Sequence, residues 1–156
     1  MAGSSQKLHV QVDRDSLIVL IPAAPPSTNR LWRIERGRPR ISKEAADFYR
    51  LVQLCTMGFR PPRGWEYFRV EILVEPTRRS GDVDNKIKAV LDGFTKAGFW
   101  RDDSAVAFVS CQFGAINKEG RTIVRISAAD RKFLPAFPRG FGGSQSTKKA
   151  ARRRKP

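Results

Sequence analysis

The sequence predicts an α+β domain of two layers, with helices packed against a mixed β-sheet. Three observations support this class. Apolar runs of strand and helix periodicity follow one another in the order strand, helix, strand, helix, strand, strand. The 156 residues are 40% hydrophobic and 29% charged, the balance of a soluble chain with one substantial core rather than two. No internal repeat is apparent, and the composition shifts only near the ends. That delimits a folded body over residues 16–130, between a flexible N-terminal segment, 1–15, and a disordered basic tail, 131–156.

The first strand is SLIVLI, residues 16–21, a β-branched apolar run ended by Pro22. Residues 22–40 hold four prolines and five arginines around Trp32, and so much backbone restriction and charge predicts a surface loop. Ser42 suits a helix N-cap, with Glu44 in the first turn. Ala45, Phe48, Tyr49, Val52 and Cys55 then recur at helical spacing until Gly58 and the Pro61-Pro62 break. Residues 67–75 alternate, placing Phe68, Val70, Ile72 and Val74 on one side, as a half-buried strand does. A second helix is expected over 85–97, where Ile87, Val90, Leu91 and Phe94 form a stripe and Gly98 supplies the stop. Two more extended runs, 105–113 and 121–127, are joined by a loop containing Gly120 and read as a hairpin. Phe94, Phe99 and Trp100 crowd one helix end, where core packing is the default use and an interface the alternative.

Thirty Lys and Arg against fifteen Asp and Glu give a net charge of +15, which points to an acidic polymer as partner. Nine of the basic residues, and none of the acids, follow Asp130, so the body itself keeps the remaining six positive charges. A phosphate-contacting folded surface, with the tail adding non-specific grip, fits this distribution. Cys55 and Cys111 lie far apart with no CxxC, and His9 is the single histidine, which argues against zinc and against a disulfide scaffold. No run approaches membrane-spanning length and the start has no leader-like apolar core, so a cytoplasmic protein away from the membrane is expected.

Acids nevertheless crowd one segment, Asp82, Asp84, Asp92, Asp102 and Asp103, with Asn85, Lys86 and Lys88 among them. In an extended stretch Asp82 and Asp84 would share a face, and on the following helix Asp84 and Lys88 lie one turn apart. Oxygen ligands without histidine or thiolate suit magnesium, and manganese equally, with a phosphate completing the coordination. Asp103 joins such a site only if the chain reverses after the helix. Lys88 would then stabilise the negative charge that builds up during phosphodiester hydrolysis. The same residues also suit ordinary roles: Asp82 or Asp84 as a helix cap, Lys88 as an ion-pair partner, Asp102 and Asp103 as turn residues.

The stretch DVDNKIKAVLDGFTKAGFWRDD resembles the signature of the RusA family of Holliday junction resolvases: DxDN, a lysine three residues after the Asn, an acid four later, a glycine-aromatic turn and paired aspartates. PPSTNRLWR and GRPRISKEAADFYR resemble the family's proline-rich loop and first helix, so the resemblance runs from about Leu17 to Ser127. It implies a RusA-like fold and a magnesium-dependent endodeoxyribonuclease, typical of prophages and bacterial genomes. Such an enzyme acts as a homodimer that resolves four-way DNA by paired nicks in recombination and repair. Residue by residue it implies Asp82, Asp84 and Asp103 as catalytic, metal-binding acids and Lys88 as an essential basic residue beside them, with Asn85, Asp92 and Asp102 in supporting positions. The N-terminal segment, the extension after Asp130 and Lys86 depart from the family pattern.

Arg30, Arg33, Arg36, Arg38 and Arg40 around Trp32, with Arg78, Arg79 and Lys86, are the expected DNA contacts. Trp32 either stacks on an unpaired base or folds its loop onto the body. Two other functions use the same features: a non-catalytic nucleic-acid-binding protein, and a nuclease for flaps or single strands.

Overall fold

The structure, a computed structural model, describes residues 10–12, 15–79 and 81–130; His9 and the tail after Asp130 lie outside it. Alternation builds the sheet. β2 (Ser16–Ile21) buries Leu17, Val19 and Ile21, β5 (Phe68–Glu75) buries Phe68, Val70, Ile72 and Val74, and β7 (Arg121–Ala128) buries Thr122, Val124 and Ile126. With β1 (Val10–Val12) and β6 (Val106–Phe113) they form a five-stranded sheet in the order β1-β2-β7-β5-β6. The sheet is mixed, as expected: β5 and β6 are parallel and the other pairs antiparallel.

Two helices cover the buried face. α1 (Lys43–Thr56) starts where Ser42 Oγ accepts the Ala45 N–H at 3.1 Å, the expected cap, and buries Ala45, Phe48, Tyr49, Val52 and Cys55. α2 (Asp84–Lys96) buries Val90 and Phe94 of its predicted stripe and leaves Ile87 and Leu91 half-buried. It ends at Gly98, whose φ of +68 is the left-handed conformation that closes a helix. Phe94, Phe99 and Trp100 are all in the core, Phe94 stacked on Trp100 with centroids 5.4 Å apart, so none of them serves an interface.

Of the segment 1–15, residues 10–12 form β1, whose Val10 is buried opposite Val19. Two expectations are corrected. Within residues 22–40, expected as a loop, a 3-10 turn (Thr28–Arg30) leads into an antiparallel hairpin, β3 (Trp32–Glu35) and β4 (Arg38–Ile41), although the segment does lie on the surface. The runs 105–113 and 121–127 are strands but not a hairpin, because β5 lies between them. The α2 crossover is long enough to return the chain parallel to β5, and the connection to β7 then steps over the end of β5. The Gly114 N–H donates to the Val74 carbonyl at 2.8 Å and the Asn117 N–H to that of Pro76 at 2.9 Å. Arg121 forks onto Glu75 from the far side, with bonds of 2.8 and 2.9 Å. Among the described residues no helix is long and apolar enough to cross a membrane, and Cys55 and Cys111 are both free thiols.

Candidate active site

The acid-rich segment enters α2, and here the backbone departs from the extended geometry that would align Asp82 with Asp84. Val83 is already helical (φ −67, ψ −35), so Asp82 stands on the entering loop and Asp84 opens the first turn. Both are exposed. Asp84 Oδ1 accepts the Asn85 N–H at 2.9 Å, where the positive end of the helix dipole favours a carboxylate. The proline-rich segment is tied to this end of the helix: Thr28 Oγ1 donates to the Asn85 carbonyl at 3.0 Å and Lys86 Nζ to that of Pro25 at 3.2 Å. Lys86 is thus turned into the body, where burial lowers its pKa, and it shares a polar pocket with Arg30, Arg78, Glu44 and Glu119.

Further along α2 the charged side chains meet. Lys88 Nζ donates to Asp92 Oδ1 at 2.9 Å, and Asp92 Oδ2 accepts from the Tyr49 hydroxyl at 3.4 Å. The hydrogen bond to Asp92 raises the Lys88 pKa, with the charges of Asp92 and Asp103 adding to it, so Lys88 is a firmly held cation. Burial, reinforced by Asp92, raises the Tyr49 hydroxyl to about 12. After the helix the chain turns back only as far as its last turn, where Asp103 Oδ1 accepts from Thr95 Oγ1 at 2.6 Å, and not to the helix start that holds Asp82 and Asp84. Thr95 in turn accepts from Trp100 Nε1 at 2.8 Å. Asp102 instead caps a 3-10 turn (Asp103–Ala105), taking the Ser104 N–H at 2.8 Å, and that bond lowers its pKa.

The structure therefore pairs Lys88 with Asp92, with Asp103 near enough for its charge to be felt by the ammonium. It does not gather Asp82, Asp84 and Asp103: among the described residues no three His, Cys, Asp or Glu stand together as a metal cage. The donor set still fits a hard divalent ion in kind. It is all oxygen, Asp82 and Asp84 are open to solvent, and magnesium characteristically takes only one or two carboxylates beside water and substrate phosphate. Thr95, Trp100 and Tyr49 were not legible as site residues, since their contacts exist only once the chain has turned back after α2 and α1 has packed on it. Arg33, Arg36, Arg38 and Arg40 are grouped on the β3–β4 hairpin, and Arg78 and Arg79 are exposed on the way into the acidic segment.

Comparison with known proteins places this site within a matched region. The profile of the family described as Endodeoxyribonuclease RusA matches residues 22–127. Similar proteins include "Crossover junction endodeoxyribonuclease rusA" of Enterobacteria phage 82, 38% identical over 106 residues, covering 66% of this chain and 88% of that protein. "Crossover junction endodeoxyribonuclease RusA" of Shigella sonnei (strain Ss046) is 36% identical over 112 residues, and that of Escherichia coli (strain K12) 35% over 112, each with 66% of this chain and 88% of the relative covered.

Proposed function

Since the chain belongs to the RusA family of endodeoxyribonucleases, we propose that it resolves four-way DNA junctions by paired hydrolytic nicks, as a magnesium-dependent homodimer in the cytoplasm. The observation that carries this reading is the Lys88–Asp92 pair on α2, within the field of Asp103 and inside the region shared with the crossover junction endonucleases.

Asp82, Asp84 and Asp103 would hold the divalent ion, which supplies Lewis-acid polarisation of the phosphoryl group and a water of lowered pKa. Magnesium suits these ligands, and manganese can replace it. Thr95 fixes one oxygen of Asp103, which would leave Oδ2 available to a divalent ion. Asp92 holds Lys88 protonated and aimed, and the ammonium counters the charge that accumulates on the phosphate during displacement. Arg30, Arg33, Arg36, Arg38, Arg40, Arg78 and Arg79 bind the backbone phosphates, and Lys86 supports them from its pocket. A two-fold dimer provides one such site for each of two symmetry-related strands.

The test is incubation with a four-way junction, a matched duplex and a flap, with and without magnesium, mapping every cut. Symmetric nicks confined to the junction are expected. Cutting of the flap alone changes the substrate, and binding without cutting any substrate overturns the enzyme reading.

A further inference from the structure

The β3–β4 hairpin has two chemically different faces. Directly opposed residues of an antiparallel pair share a face, so the register sets Trp32 beside Ile41 and Ile34 beside Pro39 on one side. Arg33 beside Arg40 and Glu35 beside Arg38 occupy the other. The ion pairs agree, with Glu35 taking Arg33 at 3.5 Å and Arg40 at 3.6 Å on the charged side.

The apolar face is graded from root to tip. At the root Leu31 is buried, Ile41 rests against the core, and the Ser42 N–H donates to the Leu31 carbonyl at 2.9 Å, which closes the base of the hairpin. Towards the tip the face is bare: Trp32 is 56% exposed and Ile34 75%, the highest value for a large apolar side chain among the described residues. Arg36 and Gly37 at the tip both have positive φ, +50 and +74, the tight two-residue turn that matches strand twist. The result is an apolar blade, anchored at one end, with arginines on its back.

An exposed apolar face marks a binding surface, and the charges beside it specify the partner. Four arginines against one glutamate over residues 32–41 select a polyanion. Nucleic acid with unstacked bases offers both the phosphates and an apolar surface to such a blade, whereas a continuous duplex hides its base faces. Resting on the junction reading above, we propose that the apolar face of β3–β4 enters the branch point as a wedge. Ile34 leads and Trp32 follows, against the faces of the branch-point bases, while Arg33, Arg38 and Arg40 hold the flanking phosphates. Apolar side chains inserted between base steps unstack them in this way, and an aromatic ring then replaces part of the lost stacking.

The experiment uses the full chain with a four-way junction carrying 2-aminopurine at the branch point, in EDTA so that no strand is cut. A control junction carries the probe in the middle of an arm. Emission is expected to rise on binding at the branch and not in the arm. Ile34→Ala combined with Trp32→Ala should remove most of that rise and lower the preference for junction over duplex roughly tenfold, the loss expected for one stacking interaction. Arg33→Ala combined with Arg40→Ala should weaken junction and duplex binding alike while leaving the emission at saturation intact. The wedge is overturned if the variant lacking both Ile34 and Trp32 lights the probe as the wild type does. It is equally overturned if that variant changes its sedimentation, which would make the face a contact between copies. A wild type that cuts junctions while the branch probe stays dark sinks the wedge alone, whereas one that cuts no junction sinks the junction reading with it.

Discussion

On α2 the Lys88 ammonium lies 2.9 Å from Asp92 and within the field of Asp103, half exposed to the solvent a phosphate would approach through. An exposed pair of this kind adds little stability, so its worth lies in aiming a cation. The proposed division of labour has separable consequences. Asp84→Asn removes a ligand charge and leaves the arginines in place. Junction cleavage should fall by at least about a hundredfold, more than the loss of an outer-shell partner costs, while gel-shift affinity stays near wild type. A fully active Asp84→Asn enzyme would sink the proposed metal site. Thr95→Val keeps the shape and removes the bond to Asp103. The metal concentration for half-maximal cleavage should rise roughly tenfold, with junction affinity unchanged and Thr95→Ser restoring the wild-type value. Since Trp100 Nε1 then loses its acceptor inside the core, the valine variant should also be about 1–2 kcal/mol less stable by urea titration.

Between elements, two contacts set how the helix layer and the sheet hold together. Gly93 of α2 faces α1 so closely that an added Cβ would stand 3.0 Å from Val52 Cγ2 and 3.5 Å from the Tyr49 ring. Alanine would gain about 1 kcal/mol of helix propensity, but Val52 is fully buried and β-branched and cannot turn aside. Overpacking of about 1–3 kcal/mol should win, so Gly93→Ala is expected to lower the melting temperature by a few degrees rather than raise it. At the other end, Arg121 and then Asn117 hold the Glu75 carboxyl below its ordinary 4.5. A depressed carboxylate stabilises the fold fully above its unfolded pKa and loses that contribution as pH falls through the folded value. The stability difference between wild type and Glu75→Gln should therefore be constant from neutral pH down to about 4.5 and shrink below it. A difference that grows on acidification would show that the Arg121 fork does not hold β5 to β7.

Across the whole molecule the charge is divided between a body that the family match covers and a tail beyond it. The family match ends at residue 127, whereas nine of the fifteen net positive charges follow Asp130. A chain ending at Asp130 should still cut junctions. Its affinity should depend less steeply on salt, the slope of log K against log salt falling by about 0.9 for each duplex phosphate that the tail no longer neutralises. An unchanged slope would mean that the tail touches no DNA. Sedimentation should give twice the 17.6 kDa chain mass, because paired nicks need two sites.

The sequence by itself determined the class of the fold, the buried faces of β5 and α1, the Ser42 cap, the Gly98 stop and the motif from Asp82 to Asp103. All of these are local: periodicity, cap chemistry and spacing act within a few residues. It did not determine that β5 would come between β6 and β7, since two extended runs joined by a glycine-bearing loop look alike whether or not a third strand intervenes. Nor did it reveal the hairpin within residues 22–40, whose prolines and arginines argue against a core strand but not against an exposed one. At the site, helical spacing put Lys88 one turn from Asp84, but the structure pairs it with the acid one turn further on, Asp92. The bonds from Thr95 to Asp103 and from Tyr49 to Asp92 were decided only by the tertiary structure. They join residues whose proximity depends on the chain's return after α2 and on the packing of α1 against it, and no spacing along the chain encodes either.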